Sequence, residues 1–326
     1  MNQALFKTIK LFAIVSRAEF LLPNLGSLIM GLAWGATPPI SLINLLVLVA
    51  LSFTVINLSS VIGAQANTLS DYELDLRDDR KKSLVEALNS FGQGRLKMML
   101  TVEFLLTLAI VFVFMLIQEK PILLFMWITG ISLGYIYSTP PARLKSRSWL
   151  APISLILVLA VFPVLFSYYT FASEPSPLFL ISVVGLALTV YGVIIPTEIR
   201  DYFGDKAMGI ETMTAHLGLQ KASLLSIILL SSGGIFMGTA FSLELLKTSH
   251  PELSAFTLLI AIANIIVLAK FKKLYSLSKE YESSNKQNSL AEDITSLATH
   301  NPRWIMMITQ TYSFLSIILL VSKFLP

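Results

Sequence analysis

The sequence predicts an all-α membrane protein, nine transmembrane helices around a central cavity, with the N-terminus in the cytoplasm. Composition is the first reason. Of 326 residues, 55% are hydrophobic and only 13% are charged, with a mean hydropathy of +0.73. A soluble domain of this size lacks the polar surface to cover so much apolar material. The second reason is the spacing of the apolar runs, and the third is where the basic residues fall between them.

A helix needs about 20 mostly apolar residues to cross the ~30 Å hydrocarbon layer. Nine runs meet this, at roughly 17–36, 43–66, 97–117, 121–139, 149–171, 178–197, 222–245, 254–271 and 304–323. With the N-terminus inside and alternating sides, all of the 24 Lys and Arg except Lys120, Lys247 and Lys323 fall on the inner face. That is the positive-inside pattern, and a miscount of one span destroys it. The net charge of +4 follows from this bias and implies no nucleic-acid partner. The chain reads as one membrane-embedded domain, 1–326, in a bacterial or archaeal inner membrane.

Residues 1–16 are too charged for a signal peptide and lack a small-residue cleavage site. They read either as an amphipathic helix on the inner leaflet or as a polar lead-in. The absence of cysteine excludes disulfides, thiolate metal sites and cysteine nucleophiles. Three scattered histidines, His216, His250 and His300, form no metal-binding pattern. The lysine-rich "KFKKLYSLSKEYESSNKQNS" (270–289) reads as a solvated inner loop near anionic headgroups. "SSGG" (231–234) reads as a site of close helix packing.

The outer connections are short, so function is expected on the inner side. Directly after the second span, "NTLSDYELDLRDDRKKS" (67–83) sets five acids and four bases within seventeen residues. Asn67, Asp71 and Asp75 recur every fourth residue and share one helical face; Asp79 extends the row if the helix continues. After the sixth span, Glu198, Asp201 and Asp205 form a second such row. Two carboxylate rows facing each other repel unless cations lie between them. Hard oxygen donors of this kind suit Mg²⁺, which takes further ligands from phosphate. Arg77, Lys81 and Lys82 flank the first row, Arg200 and Lys206 the second, and Arg143, Lys145 and Arg147 occupy the next inner loop. Acids, metal and surrounding bases together make a site for a diphosphate. A single acidic loop reads as ordinary solvated chain; two rows in register on one side do not.

These residues resemble the UbiA superfamily of intramembrane prenyltransferases. Asn67-x₃-Asp71-x₃-Asp75 is similar to the family's first Asp-rich motif, and Glu198-x₂-Asp201-x₂-Gly204-Asp205 with "GIETMTAHLG" to its second. "LGYIYSTPPARLKSR" (133–147) resembles its tyrosine–serine–proline–proline and basic cluster, and "SRAEFLLPNLG" (16–26) its opening. The chain departs from the pattern at Thr68, where many members have Asp, and at Glu198, where Asp is commoner. "RKKSLVEAL" also replaces an arginine–proline pair, which weakens assignment to a ubiquinone or menaquinone pathway.

The resemblance implies transfer of an isoprenoid chain from a prenyl diphosphate to a hydrophobic acceptor: an aromatic, a quinone precursor, an alcohol or a lipid. Asp71, Asp75, Asp201 and Asp205 are then the catalytic carboxylates, joined by Asn67 and Glu198 in holding Mg²⁺. Asn67, Arg77, Lys81, Arg143, Lys145 and Lys206 are the candidates for binding diphosphate. Tyr135, Tyr137 and Tyr191, with Phe162 and Tyr168, are candidate wall residues around an allylic cation. Two alternatives stay open: a cyclase or hydratase with the same ionisation site, and a cation-coupled transporter. The latter calls for mid-membrane acids and an inverted repeat, whereas most acids here sit at inner span ends and no clear inverted repeat is seen.

Overall fold

The computed structural model describes residues 3–18, 21–77, 81–147, 149–207, 212–284 and 288–325. Asp79 and the glycine-bearing stretch 208–211 lie outside them. Among the described residues there is no strand. Among the described residues, eight helices are long and apolar enough to cross a membrane.

The N-terminal helix α1 (Gln3–Val15) is amphipathic, as one of the two readings of this segment expects. Val15 is buried with Ala87, Leu88 and Phe91, while Leu5, Phe6 and Ile9 stay exposed. Next comes α2 (Leu21–Gly35), which coincides with the first expected span but has only 15 residues, about 22 Å of helix. It packs between the helices Phe162–Phe171 and Asn301–Phe324.

Helix α3 (Leu42–Ser70) starts at an N-cap, Ser41, whose hydroxyl accepts from the Asn44 N–H. At 29 residues it is about 44 Å long, so it outruns the hydrocarbon by several turns. Those extra turns carry Asn67 and end at the capping Asp71. They lead into α4 (Tyr72–Asp75) and α5 (Lys82–Phe91), then α6 (Gln93–Gln118) and α7 (Pro121–Ser138).

The fifth expected span is built from α8 (Leu150–Ile156), a π turn (Leu157–Val161) and α9 (Phe162–Phe171). Pro163 follows the π turn, and its missing N–H and bulky ring account for the local rearrangement of the ladder. Helix α10 (Pro177–Ala207), 31 residues long, carries the second acidic row on its last turns and contains Pro196. The short α11 (Met213–Leu217) leads into α12 (Leu219–Leu245), α13 (Leu258–Ser283), α14 (Asn288–Thr299) and α15 (Asn301–Phe324).

Small residues set how closely α10 and α12 approach. A Cβ on Gly185 would stand 2.9 Å from the Met237 backbone nitrogen, and one on Gly233 2.7 Å from the Gly185 carbonyl. The packing role expected for "SSGG" is therefore the observed one.

The lysine-rich segment corrects the sequence reading. Residues 270–283 continue α13 as helix rather than loop. Phe271, Leu274 and Ser278 are fully buried along one face, while Lys270, Lys272, Lys273 and Lys279 point outward. The spacing 271, 274, 278 is helical, but the density of lysines hides it.

The three lysines that break the basic-residue pattern are each held locally. Lys120 Nζ donates to the carbonyls of Tyr169 (2.9 Å) and Ala172 (3.0 Å) at the end of α9. Lys323 Nζ does the same at the end of α2, to Ala33 (2.9 Å) and Trp34 (3.0 Å). Lys247 pairs with Glu244 at 3.3 Å. Lysines at helix C-termini satisfy orphan carbonyls and complement the dipole.

Candidate active site

The first acidic row lies where α3 gives way to α4. Asn67 Oδ1 accepts from Ser138 Oγ at 2.8 Å and from Lys145 Nζ at 3.3 Å. Asp71 caps α3 and is buried. Its Oδ1 accepts from Arg143 Nη2 at 2.9 Å, and its Oδ2 accepts from Lys145 Nζ. The 143–147 loop thus folds onto the end of α3, as opposite charges on two inner connections favour.

One turn on, burial pushes the Asp75 carboxyl above its usual value; the Asp71 charge adds to this, while Lys81, Lys145 and Arg17 oppose it. Burial likewise draws the Lys145 ammonium below its usual value, against the attraction of Asp71.

The second row occupies the last turns of α10. Glu198 Oε2 accepts from the Thr214 hydroxyl (2.8 Å) and its N–H (3.3 Å). Asp201 accepts two bonds from its neighbour Arg200, at 3.0 Å from Nε and 2.7 Å from Nη2. The Asp205 charge acts on Glu198.

Charges from both rows act on Tyr137. Its hydroxyl lies within electrostatic reach of both Glu198 and Asp71, and Tyr191 within reach of Glu198 and Tyr137. The two carboxylate-bearing helix ends therefore converge at one end of the bundle. Among the described residues, no three His, Cys, Asp or Glu side chains come together tightly enough to hold a metal by themselves.

The family model for UbiA prenyltransferases matches residues 24–288, which include both acidic rows and the basic loop between them. The chain belongs to the UbiA prenyltransferase family. No curated protein matches the sequence. Among solved structures, the chain is similar to a digeranylgeranylglyceryl phosphate synthase at 15% identity and a TM-score of 0.67, covering 95% of this chain and 99% of that one. It is also similar to a UbiA homologue from Archaeoglobus fulgidus bound to DMAPP and Mg²⁺, at 17% identity and a TM-score of 0.63, over 91% of this chain and 98% of that one. The same homologue bound to GPP and Mg²⁺ gives 17% identity and a TM-score of 0.61, over 91% and 99%. At these identities the likeness is one of fold.

Not every expected residue of this UbiA-family protein reaches the convergence. Tyr135 departs from the expectation that it lines the same wall as Tyr137. It is exposed and lines a separate cleft of about 280 Å³ between α3, α6 and α7, with Ile62, Ala66, Leu100, Phe104 and Ile131. Residues two apart on a helix point to different sides, so Tyr135 and Tyr137 do not share a face. Tyr168 stacks on Phe179 at a centroid distance of 3.8 Å and donates to the Glu174 carbonyl, at the far end of the bundle. Phe162 packs against Gly130. Tyr191 is buried and donates to Met213 Sδ at 3.0 Å. Arg77 sits exposed in the turn after α4. Lys206 lies 5.5 Å over the ring of Tyr202 on its own helix.

The sequence reading singled out neither Ser138 nor Thr214, although both stand inside the quoted motifs. It also missed a polar group two turns further into the bundle, where Asn24 Nδ2 donates to Asn57 Oδ1 (3.2 Å) and Ser60 Oγ (2.8 Å). Ser60 and Asn67 are seven residues apart and share a face of α3.

Proposed function

We propose that this UbiA-family protein transfers an isoprenoid group from a prenyl diphosphate to a hydrophobic acceptor within the membrane, in one domain spanning 1–326. The observation that carries this reading is the convergence of Asp71 and Glu198, from helices far apart in sequence, on Tyr137. The Archaeoglobus fulgidus homologue bound to DMAPP and Mg²⁺ supports the choice of substrate and metal.

The donors fit Mg²⁺. They are hard oxygens, and burial, helped by the Asp71 charge, raises the Asp75 carboxyl despite the nearby bases, so a further cation there is favoured. Mg²⁺ is usually held by one or two carboxylates, with phosphate and water completing the shell, which suits a site without a three-carboxylate cage. Asn67, Asp71, Asp75, Glu198, Asp201 and Asp205 are the residues that would hold it. When bound, the metal neutralises the charge that builds on the diphosphate leaving group.

The protein's own side chains supply the rest. Arg143 and Lys145 stand on Asp71 and are the cations best placed to take diphosphate oxygens, with Lys81 beside Asp75. The allylic C–O bond breaks with its electron pair leaving on diphosphate; the acceptor then bonds to that carbon and loses a proton. Tyr137, at the junction of the two rows, presents an aromatic face to the cation, and the apolar bundle excludes water.

The site faces the cytoplasm in this reading, with nine spans counting α2 and the N-terminus inside, in a bacterial or archaeal membrane. The carbonyl and carboxylate bonds made by Lys120, Lys247 and Lys323 support it, because all three exceptions to the positive-inside pattern have local partners.

Purified protein in nanodiscs, given Mg²⁺, geranyl, farnesyl or geranylgeranyl diphosphate and a panel of hydrophobic acceptors, is expected to release diphosphate and form a prenylated product seen by mass spectrometry. Asp71→Ala and Asp201→Ala are expected to lose at least about 10²-fold in turnover while remaining folded. Full activity in both variants overturns the assignment of the site. A cyclic or hydroxylated product formed without acceptor moves the protein to the cyclase or hydratase reading.

A further inference from the structure

Helix α10 contains Pro196 two residues before Glu198. A proline inside a helix removes the bond to the carbonyl four residues back and pushes that carbonyl aside. Here the carbonyl belongs to Gly192, and Ser226 Oγ of α12 donates to it at 2.6 Å. A second side chain reaches across the same proline. Asn301, the first residue of α15, donates from Nδ2 to the Val193 carbonyl (2.6 Å) and to the Thr197 hydroxyl (2.8 Å). One amide therefore holds a residue on each side of Pro196. Asn301 is fully buried, and its Oδ1 has no partner, so its role here is donation alone.

We infer that Asn301 is a positioning residue, which fixes the course of α10 at Pro196 and so aims Glu198, Asp201 and Asp205 at the first acidic row. The role rests on the proposed transferase reading for its meaning, though not for its geometry. The lever is long. Asp201 and Asp205 lie five and nine residues beyond Pro196, about 7 and 13 Å along the axis. A change of about 10° in the helix axis at Pro196 moves them by about 1 and 2 Å, and a displacement of about 1 Å costs on the order of 10²-fold in rate. The pairing is also economical in sequence terms: a single junction residue between α14 and α15 ties the end of the chain to the second motif.

A purely anchoring role for Asn301, holding α15 without aiming α10, predicts a loss of stability and no movement of the second row. The two are separable because the chain has no cysteine, so labels introduced at exposed Glu73→Cys and Gly204→Cys report one distance without background. Pulsed electron paramagnetic resonance on the labelled, metal-free protein is expected to show the distribution shifted or broadened by about 2 Å in Asn301→Ala. Asn301→Asp, of the same shape, turns an oxygen toward the Val193 carbonyl and is expected to do at least as much. Thr197→Val removes one of the two bonds and is expected to give a smaller change. It decides the matter if the Asn301 variants do not fold. In the unlabelled protein, Asn301→Ala is expected to lower kcat about 10-fold or more and to raise the Mg²⁺ concentration for half-maximal rate. An unchanged distance distribution in folded Asn301→Ala, or in Thr197→Val where that variant alone folds, overturns the inference. Because the distance needs no turnover, an inactive parent protein fails the transferase reading alone.

Discussion

The ammonium of Lys145 donates to the Oδ2 of Asp71, and Arg143 takes the other oxygen of the same carboxylate. Both bases come from the loop after α7, more than seventy residues along the chain from Asp71. A carboxylate bound on both oxygens is rigid and aimed, and the two cations are gathered where a diphosphate is proposed to bind. Lys145→Ala is expected to reduce kcat/KM for the prenyl diphosphate by about 10²-fold, comparable to losing one preorganised donor. Lys145→Arg is expected to recover part of that loss. Steady-state kinetics with prenyl diphosphate varied check both, and a Lys145→Ala enzyme with unaltered kcat/KM refutes the role.

The raised Asp75 carboxyl gives a pH-dependent effect of metal on stability. Its folded value lies above the unfolded one, so the folded protein holds the proton more firmly. This group's contribution to stability therefore improves as pH falls through the folded value and is least favourable at neutral pH. A cation bound beside Asp75 offsets the neutral-pH penalty. Mg²⁺ with pyrophosphate is expected to raise Tm at neutral pH, with the increment shrinking as pH approaches the carboxylate range near about 4. Differential scanning fluorimetry across pH measures this, and an increment that grows on acidification contradicts it.

Glu103 lies ten residues into α6, well inside the span, with its Oε2 buried and unpartnered. Gln65 of α3, fully buried and within hydrogen-bond reach, also has an unpartnered Oε1. An unpaired carboxylate in hydrocarbon is costly, and an amide supplies a donor to an acceptor that lacks one. Glu103→Gln is expected to leave Tm unchanged or higher by a few degrees. A clear fall in Tm or in turnover would instead mean that the carboxyl has a job of its own.

Lys323 caps α2 through the carbonyls of Ala33 and Trp34. Lys323→Met keeps the aliphatic stem and removes the charged donor. It is expected to cost roughly 1.5–3 kcal/mol of stability, as for a hydrogen bond to a charged group. Turnover per folded molecule is expected to stay the same, because the cap lies at the end of the bundle away from the acidic rows. Thermal unfolding beside active-fraction measurements tests the two halves separately.

Sequence alone determined the class of protein, eight of the long helices and the two acidic rows, because each rests on properties local to a segment. Apolar length says that a helix can cross a bilayer, and spacings of three and four place Asp71 with Asp75, or Glu198 with Asp201, on one face. The same local logic misjudged 270–283, where lysines outnumber the buried Phe271, Leu274 and Ser278 that make the segment helical. It grouped Tyr135 with Tyr137 by chemistry, although a step of two residues turns them to different surroundings. Tertiary structure alone decided which bases hold Asp71, which carbonyls the outer lysines Lys120 and Lys323 cap and what spans Pro196. Arg143 and Asp71 are 72 residues apart, and Asn301 and Val193 are 108 apart. Such contacts carry no periodic signal in the chain; they exist only once packed helices bring distant donors within about 3 Å of their acceptors.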